Sequence, residues 1–144
     1  MELELIVDAS ALVGELLRRR GRRILTRPDL TLYMALPQWE EAIYELTHRV
    51  RHVAARLDLD PEELLASARA LAEAVIEVVS EEVYAPFEEE ARRRLEDPDD
   101  VPTAALALAL GLGIWTKDQD FFGSGLATWR TEILLRVLEI EAEE

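Results

Sequence analysis

The chain has 144 residues, about the size of one domain, so we expect a single domain over 1–144. About half of the residues are apolar and a third are charged, which is typical of a globular protein rather than a disordered one. There is no cysteine, which excludes a disulfide scaffold, a thiolate metal site and a cysteine nucleophile. The net charge of −14 argues against sequence-independent binding to duplex DNA. With no basic leader and no apolar stretch of membrane length, a cytoplasmic location away from membranes is expected.

The first half of the chain alternates apolar runs with helical patterns. Residues 3–8 form a short apolar run that ends on an acid and predicts a strand. Ser10 is the expected N-cap of the next helix, and Gly21 is expected to end that helix. Three further elements are predicted: an apolar run at 32–36, which is either a strand or the approach to a helix, a helix from Pro37 to about Leu57, and a helix from Asp60 to about Glu73.

The second half continues the alternation. Its predicted elements are a β-branched strand at 75–79, a helix at 86–95, a polar break at 97–100, a helix at 101–110, a strand at 113–116, a polar turn at 117–120 and a last helix that Thr131 caps. The helix at 101–110 is apolar on most faces and is therefore expected to be buried. Short apolar strands that alternate with helices indicate an α/β fold with a central, mainly parallel sheet covered by helices.

Four acids on separate segments are expected to meet at one edge of this sheet, because functional groups gather at the carboxyl ends of parallel strands. They are Asp8, Glu41, Asp100 and Asp118. Two carboxylates about 5 Å apart repel by roughly 3 kcal/mol at an effective dielectric near 20. A hard divalent cation removes that repulsion and leaves coordination positions for a phosphate. The pattern therefore indicates metal-dependent hydrolysis of a phosphodiester.

Each acid also has a purely structural interpretation. Asp8 and Asp100 suit the N-caps of the helices that follow them. Asp118 and Asp120 suit a turn, and Glu41 suits a solvated helix surface in a glutamate-rich chain.

The basic residues are clustered in this acidic chain. Arg18, Arg22 and Arg23 crowd a segment that contains no acid, and this segment is either a phosphate-binding edge near the acids or a docking surface for an acidic partner. His48 and His52 are one helical turn apart, but no third ligand of the usual zinc type stands beside them, which favours a solvated helix face.

Three segments occur in one order along nearly the whole chain. They read Ile-Val-Asp-Ala-Ser-Ala-Leu at 6–12, Asp-Val-Pro-Thr-Ala-Ala-Leu-Ala at 100–107 and Ile-Trp-Thr-Lys-Asp-Gln-Asp-Phe at 114–121. Together they resemble the opening strand, the central aspartate with its alanine-rich helix and the fourth-acid segment of PIN domains, the nuclease family that includes the VapC toxins. The resemblance implies a three-layer α/β/α sandwich and a Mg²⁺- or Mn²⁺-dependent endoribonuclease that hydrolyses single-stranded RNA.

The resemblance also implies roles for particular residues. Asp8, Asp100 and Asp118 match positions that hold the metals and act in catalysis. Ser10 and Thr116 match positions that support these acids by hydrogen bonds.

The remaining acidic positions are matched less closely. Asp120 is implied as an outer ligand or as a substitute for Asp118. Three glutamates, Glu40, Glu41 and Glu45, compete for the catalytic acid on the second long helix. Glu41 is favoured, and Glu45 lies one turn further along the same helix face as a supporting acid.

The family resemblance implies partners as well. RNA, single-stranded or structured, is the implied substrate, and Arg18, Arg22 and Arg23 are the candidates for binding it. A homodimer is implied by the family, and an antitoxin protein by the VapC toxins. The alternative is a non-catalytic interaction module that keeps the fold, although the presence of all three aspartates favours the enzyme.

Overall fold

Five parallel strands form the centre of the structure, a computed structural model that describes residues 2–140. In chain order they are β1 (Leu3–Val7), β2 (Leu30–Ala35), β3 (Ile76–Val79), β4 (Gly113–Trp115) and β5 (Thr128–Trp129). Across the sheet their order is β3-β2-β1-β4-β5, and every neighbouring pair is parallel. The predicted parallel sheet is confirmed, and the apolar run at 32–36 belongs to β2 except for its last residue.

Helices cover both faces of this sheet. Within the described residues the α-helices are α1 (Ala9–Leu16), α2 (Arg19–Leu25), α3 (Leu36–Leu57), α4 (Pro61–Val75), α5 (Glu81–Tyr84), α6 (Glu88–Arg94), α7 (Val101–Leu110) and α8 (Thr131–Val137). Short 3₁₀ turns occur at Ala85–Phe87, Pro98–Asp100 and Gln119–Phe121. Among the helices between residues 2 and 140, none is both long and apolar enough to cross a membrane.

The two sides of β1 face different cores, because successive side chains of a strand point to opposite faces of its sheet. Leu5 and Val7 pack in a core that includes residues of α1, α3, α4 and α8. Ile6 packs in the second core with α7 and with residues of α5 and α6. The predicted burial of α7 and the predicted α/β/α sandwich are both confirmed.

The order of the strands reverses at β1. The chain adds β2 and then β3 on one side of β1, and later adds β4 and β5 on the other side. Such a reversal leaves a crevice outside the carboxyl ends of the two central strands, where α/β proteins bind their ligands. Asp8 directly follows β1 and Thr116 directly follows β4, so both residues lie at this crevice.

The helix predicted between Ser10 and Gly21 is in fact two helices, α1 and α2. Gly21 ends neither of them: it lies buried in the first turn of α2, where a Cβ would sit 1.9 Å from the carbonyl oxygen of Glu15. Glycine therefore lets α2 contact the end of α1, and the buried Glu15 forms an ion pair with Arg20 at 3.1 Å. The prediction is wrong because glycine serves close packing at this position and not a helix stop.

The last strand and helix also differ from expectation. The two-residue strand β5 was not predicted, and it pairs with β4 at the edge of the sheet. Thr131 does not cap α8, because Arg130 occupies the N-cap position. The Thr131 hydroxyl instead accepts a hydrogen bond from the indole N–H of the buried Trp115 at 3.0 Å.

Candidate functional site

The carboxyl ends of β1 and β4 place Asp8 beside Thr116. The two strands pair with Val7 opposite Trp115, and the N–H of Asp8 donates to the carbonyl oxygen of Trp115 at 3.2 Å. The Thr116 hydroxyl donates to Oδ2 of Asp8 and accepts from the N–H of Asp118 at 2.9 Å. One hydroxyl group thus connects the acids that follow two different strands.

Asp8 is fixed by hydrogen bonds and is only 7% exposed. Its Oδ1 accepts from the backbone N–H of Ala11 at 2.8 Å and from the Ser10 hydroxyl at 3.2 Å. Asp8 therefore caps α1, which is the structural role considered for it from the sequence. Ser10 is not the N-cap, and its hydroxyl instead donates to Asp8. Burial raises the pKa of Asp8, hydrogen bonds from Thr116, Ala11 and Ser10 offset part of this rise, and the charge of Asp118 adds to it.

Asp100 precedes α7 but does not cap it. Its side chain makes no capping hydrogen bond, and its Oδ2 atom is buried without a partner among residues 2–140. Burial raises the pKa of Asp100 to about 7, with further contributions from the charges of Asp118, Asp97 and Asp120 and from a hydrogen bond with Asp120. A buried polar oxygen without a donor is costly. The interpretation of Asp100 as a plain helix cap is therefore wrong.

Three acids, with Asp100 among them, could hold a cation together. Asp97, Asp100 and Asp120 each bring one carboxylate oxygen to within 4.8 Å of the others. Carboxylate oxygens are the donors that hard divalent cations prefer, and Asp100 brings to this group a buried oxygen that has no protein partner among residues 2–140. The residues present therefore fit a divalent metal ion. Asp97 was missed because 97–100 was interpreted as a chain break, although three acids in four residues before a buried helix were a usable signal.

Asp118 forms a turn and also acts electrostatically on the acids around it. These acids are called the acidic cluster below and comprise Asp8, Glu41, Asp97, Asp100, Asp118 and Asp120. Its Oδ1 accepts from the N–H of Asp120 at 2.9 Å, which is the turn-forming role considered from the sequence. Its charge also raises the pKa of Asp8 and of Asp100. Asp118 thus couples electrostatically to acids on two other segments.

Glu41 brings α3 into the cluster. Burial raises the pKa of Glu41, and the charges of Glu45, Asp99 and Asp8 raise it further. The side-chain amide of Gln38 donates to the carbonyl oxygen of Asp99 at 2.9 Å, which ties the first turn of α3 to the acidic loop. The structure therefore brings Glu41 within electrostatic reach of Asp8, and its choice over the neighbouring glutamates stays a prediction.

The three arginines proposed from the sequence lie elsewhere. Arg18, Arg22 and Arg23 stand at the start of α2 or within it, beyond the far end of α1, and α1 extends about 12 Å from Asp8. The chain continues from α2 to the amino end of β2, and the Arg22 guanidinium donates to the Ser67 hydroxyl at 3.4 Å. Their role as a phosphate-binding edge stays a prediction, as does their use as a docking or RNA-binding surface.

Asp100→Asn is expected to stabilise the metal-free protein at neutral pH. The unfolded chain loses the Asp100 proton near its ordinary pKa of 3.8, whereas the folded protein keeps that proton up to about pH 7. The free energy of unfolding of the wild type therefore falls as the pH rises between these values, and asparagine removes this loss. Because Asp100 is partly exposed, solvent screening reduces the gain to on the order of 1 kcal/mol. Urea unfolding in EDTA should show the gain at about pH 8 and none near pH 4.

A matched control for this measurement is Asp60→Asn. Asp60 caps α4 by accepting from the N–H of Glu62 at 3.0 Å, beyond the opposite end of α3 from Glu41, and asparagine caps equally well. We expect this variant to follow the pH profile of the wild type. If Asp100→Asn followed it too, Asp100 would carry no electrostatic penalty and would lie outside any cluster of acids.

The fold and the sequence both match known proteins. The crystal structure of PAE2754 from Pyrobaculum aerophilum is similar with a TM-score of 0.66 and 23% identity, covering 96% of this chain and 98% of that chain. A toxin–antitoxin complex from Klebsiella pneumoniae is similar with a TM-score of 0.53 and 18% identity, covering 83% of this chain and 91% of that chain. No curated protein matches the chain. The family model of the PIN domain matches residues 6–139, a range that contains all the acids described above. The chain therefore belongs to the PIN-domain family.

Proposed function

We propose that this PIN-domain protein is a Mg²⁺- or Mn²⁺-dependent endoribonuclease that hydrolyses phosphodiester bonds of single-stranded RNA. PIN domains are generally nucleases. The observation that carries the proposal is the grouping of Asp97, Asp100 and Asp120, together with the buried and unpartnered Oδ2 of Asp100. A non-catalytic interaction module would share the fold, but it would not need this electrostatically costly arrangement.

We assign metal binding to Asp8, Asp100 and Asp118, with Asp97 and Asp120 as further oxygen donors beside Asp100. When bound, a divalent cation supplies Lewis-acid activation of water and neutralises the charge that develops on the phosphate. The donor atoms are all oxygens, which suits Mg²⁺ and Mn²⁺ equally.

The protein's own groups prepare this chemistry. Thr116 and Ser10 donate to Asp8 and hold its carboxylate in one orientation, and burial keeps water from competing for it. Glu41 approaches from α3 on the exposed side of the cluster, and its raised pKa suits it to hold a proton between the site and solvent. Glu45, one turn further along, strengthens this shift by its charge.

Cleavage of RNA by the purified protein tests the proposed function. Labelled single-stranded RNA should be cut internally when Mg²⁺ or Mn²⁺ is present, and EDTA should stop the reaction. Absence of cleavage with either metal, in protein shown to be folded and free of any partner, would overturn the proposal. Cleavage that persists in EDTA would overturn the metal mechanism, but the protein would still be a nuclease.

A second proposal concerns the protein partners of this chain. We infer a toxin of a toxin–antitoxin pair that acts in the cytoplasm as a homodimer and is inhibited by an antitoxin protein. The support is the fold that the chain shares with a protein of a toxin–antitoxin complex. Growth arrest on expression that Asp100→Asn relieves is the outcome expected of a toxin, and unimpaired growth with an active nuclease would contradict that role.

A further inference from the structure

Lys117 and Arg49 form a pair of cations above α1. The Nζ of Lys117 and a guanidinium nitrogen of Arg49 lie 2.9 and 3.9 Å from the point where a Cβ of Gly14 would sit. The missing side chain of Gly14 leaves the space that both cations enter. In the part of the chain that the structure describes, neither cation has a hydrogen-bond or ion-pair partner. Two unpaired positive charges side by side, in a chain of net charge −14, form a local site for an anion.

The cation pair is linked to the acids through the chain position of Lys117. In sequence, Lys117 stands between Thr116, which donates to Asp8, and Asp118, which belongs to the acidic cluster. Gly14 lies six residues after Asp8, which corresponds to about 9 Å along α1. An anion held by the pair would therefore lie beside the acids and not among them.

An exposed aromatic pair lies on α3 close to Arg49. The Tyr44 side chain is 67% exposed, and its ring centroid lies 4.4 Å from that of His48 at an interplanar angle of 41°. Tyr44, Glu45, His48, Arg49 and His52 line one groove. The groove thus contains the aromatic pair and Arg49, one of the two cations. Exposed rings beside positive charges are the means by which proteins bind single-stranded nucleic acid, since every base has a face that can stack.

We propose that this groove binds single-stranded RNA next to the carboxylates, with a phosphate between Lys117 and Arg49 and a neighbouring base on Tyr44 and His48. The inference rests on the proposed nuclease function and gives it a substrate-binding surface. A strongly acidic protein repels a polyanion, so affinity requires local cations, and here they adjoin the acids. A single strand is the fitting ligand because the bases of a duplex are stacked on one another and are not free to stack on the protein.

Binding measured without metal tests this surface separately from catalysis. Fluorescence anisotropy of a labelled single-stranded oligoribonucleotide in EDTA should show that Arg49→Gln and Lys117→Gln each weaken affinity by about 3- to 10-fold. Each lost phosphate contact should also lower the slope of log affinity against log salt by roughly 0.7. Arg51→Gln is the matched control: it removes the same charge from the same helix, about 200° around the helix from Arg49, and should change affinity by less than about 2-fold.

The aromatic part has its own variant. Tyr44→Ala should weaken binding of the single strand by roughly 5-fold or more and leave binding of a duplex RNA unchanged. The competing interpretation is that a second copy of this chain occupies the groove. Sedimentation of the same variant tests this interpretation by measuring the oligomeric state. Loss of a dimer on Tyr44→Ala with unchanged RNA affinity would overturn the inference, because the groove would then be an interface between copies.

The two proposals fail in different ways. If Arg49→Gln, Lys117→Gln and Arg51→Gln all bound RNA like the wild type, the inferred surface would be wrong even if the protein cleaves RNA. If the wild type failed to cleave RNA with either metal while the binding losses appeared as expected, only the proposed hydrolysis would be wrong.

Discussion

Asp8→Asn and Asp100→Asn are each expected to reduce metal-dependent RNA cleavage by at least about 100-fold. Asparagine keeps the shape of the side chain, but it removes the negative charge and replaces one of the two carboxylate oxygens by an amide. At Asp8 the amide oxygen of asparagine can still accept from Ala11 and Ser10, but its NH2 group would face the Thr116 hydroxyl as a second donor. Thermal unfolding of this variant therefore has to accompany the rate measurement. The initial rate of cleavage at saturating Mg²⁺ or Mn²⁺ measures the effect.

A second measurement separates metal binding from damage to the fold. A cation that binds only the folded protein raises its stability by about 1.4 kcal/mol at ten times its Kd. We expect this gain in thermal unfolding for the wild type and for the control Asp60→Asn, and a much smaller gain for Asp100→Asn. Full cleavage activity in Asp100→Asn, or an undiminished response of its stability to metal, would show that Asp100 is not a metal ligand.

Gly21→Ala is expected to cost about 2 to 3 kcal/mol of stability, a large fraction of the total for a domain of this size. A Cβ at this position would lie 1.9 Å from the carbonyl oxygen of Glu15, so α2 has to move away from α1. Alanine is the better helix former by about 1 kcal/mol, and this gain only partly offsets the clash. The buried ion pair of Glu15 and Arg20 spans the same junction and would be strained by the movement. Urea unfolding measures the loss.

Gly14→Ala is the matched control, because Gly14 is also a buried glycine within a helix. The nearest atom to its added Cβ, at 2.9 Å, is the Nζ of Lys117, the far end of a flexible side chain that can move aside. We expect the stability to change by no more than about 1 kcal/mol in either direction. Equal losses at Gly14 and Gly21 would show that the close contact with the Glu15 carbonyl is not the cause.

The central part of the fold is predictable because its elements carry strong local signals. β1 and β4 are buried apolar runs, and α7 is apolar on nearly every side, as a helix between a sheet and further helices requires. The two-residue β5 carries no periodic signal. It depends on a tertiary contact, since a Cβ on Gly113 would come within 3.0 Å of the Trp129 indole. Such a contact cannot be deduced from composition or spacing.

The candidate site likewise contains residues with a local sequence signal and residues whose place depends on tertiary contacts. Asp8, Asp100 and Asp118 could be predicted because each stands where a strand ends or a buried helix begins, and parallel strands place those points at one edge. Asp97 could not be assigned, because its approach to Asp100 depends on the path of the loop at Pro98–Asp100. Lys117 could not be assigned either, because its approach to Arg49 depends on how α3 crosses α1 above Gly14.

The arginines show the limit of reasoning from charge alone. A basic cluster in an acidic chain suggests a polyanion site, but spacing along the chain does not tell which edge of a sheet the cluster occupies. α1 carries the chain from the carboxyl end of β1 to the opposite edge, and Arg18, Arg22 and Arg23 follow it there. One of the arginines in this segment, Arg20, is held in an ion pair with the buried Glu15.

The hydrogen bond between Asp8 and Thr116 joins residues 108 positions apart, and this separation has a consequence for protein synthesis. A ribosome that adds roughly 5 to 20 residues per second makes Thr116 about 5 to 20 s after Asp8. During that time β1 lacks one of its two neighbouring strands, and Asp8 lacks the hydroxyl that orients it. A nascent or prematurely terminated chain that ends before β4 therefore cannot assemble the cluster. The order of synthesis alone therefore delays assembly of these acids until most of the chain has been made.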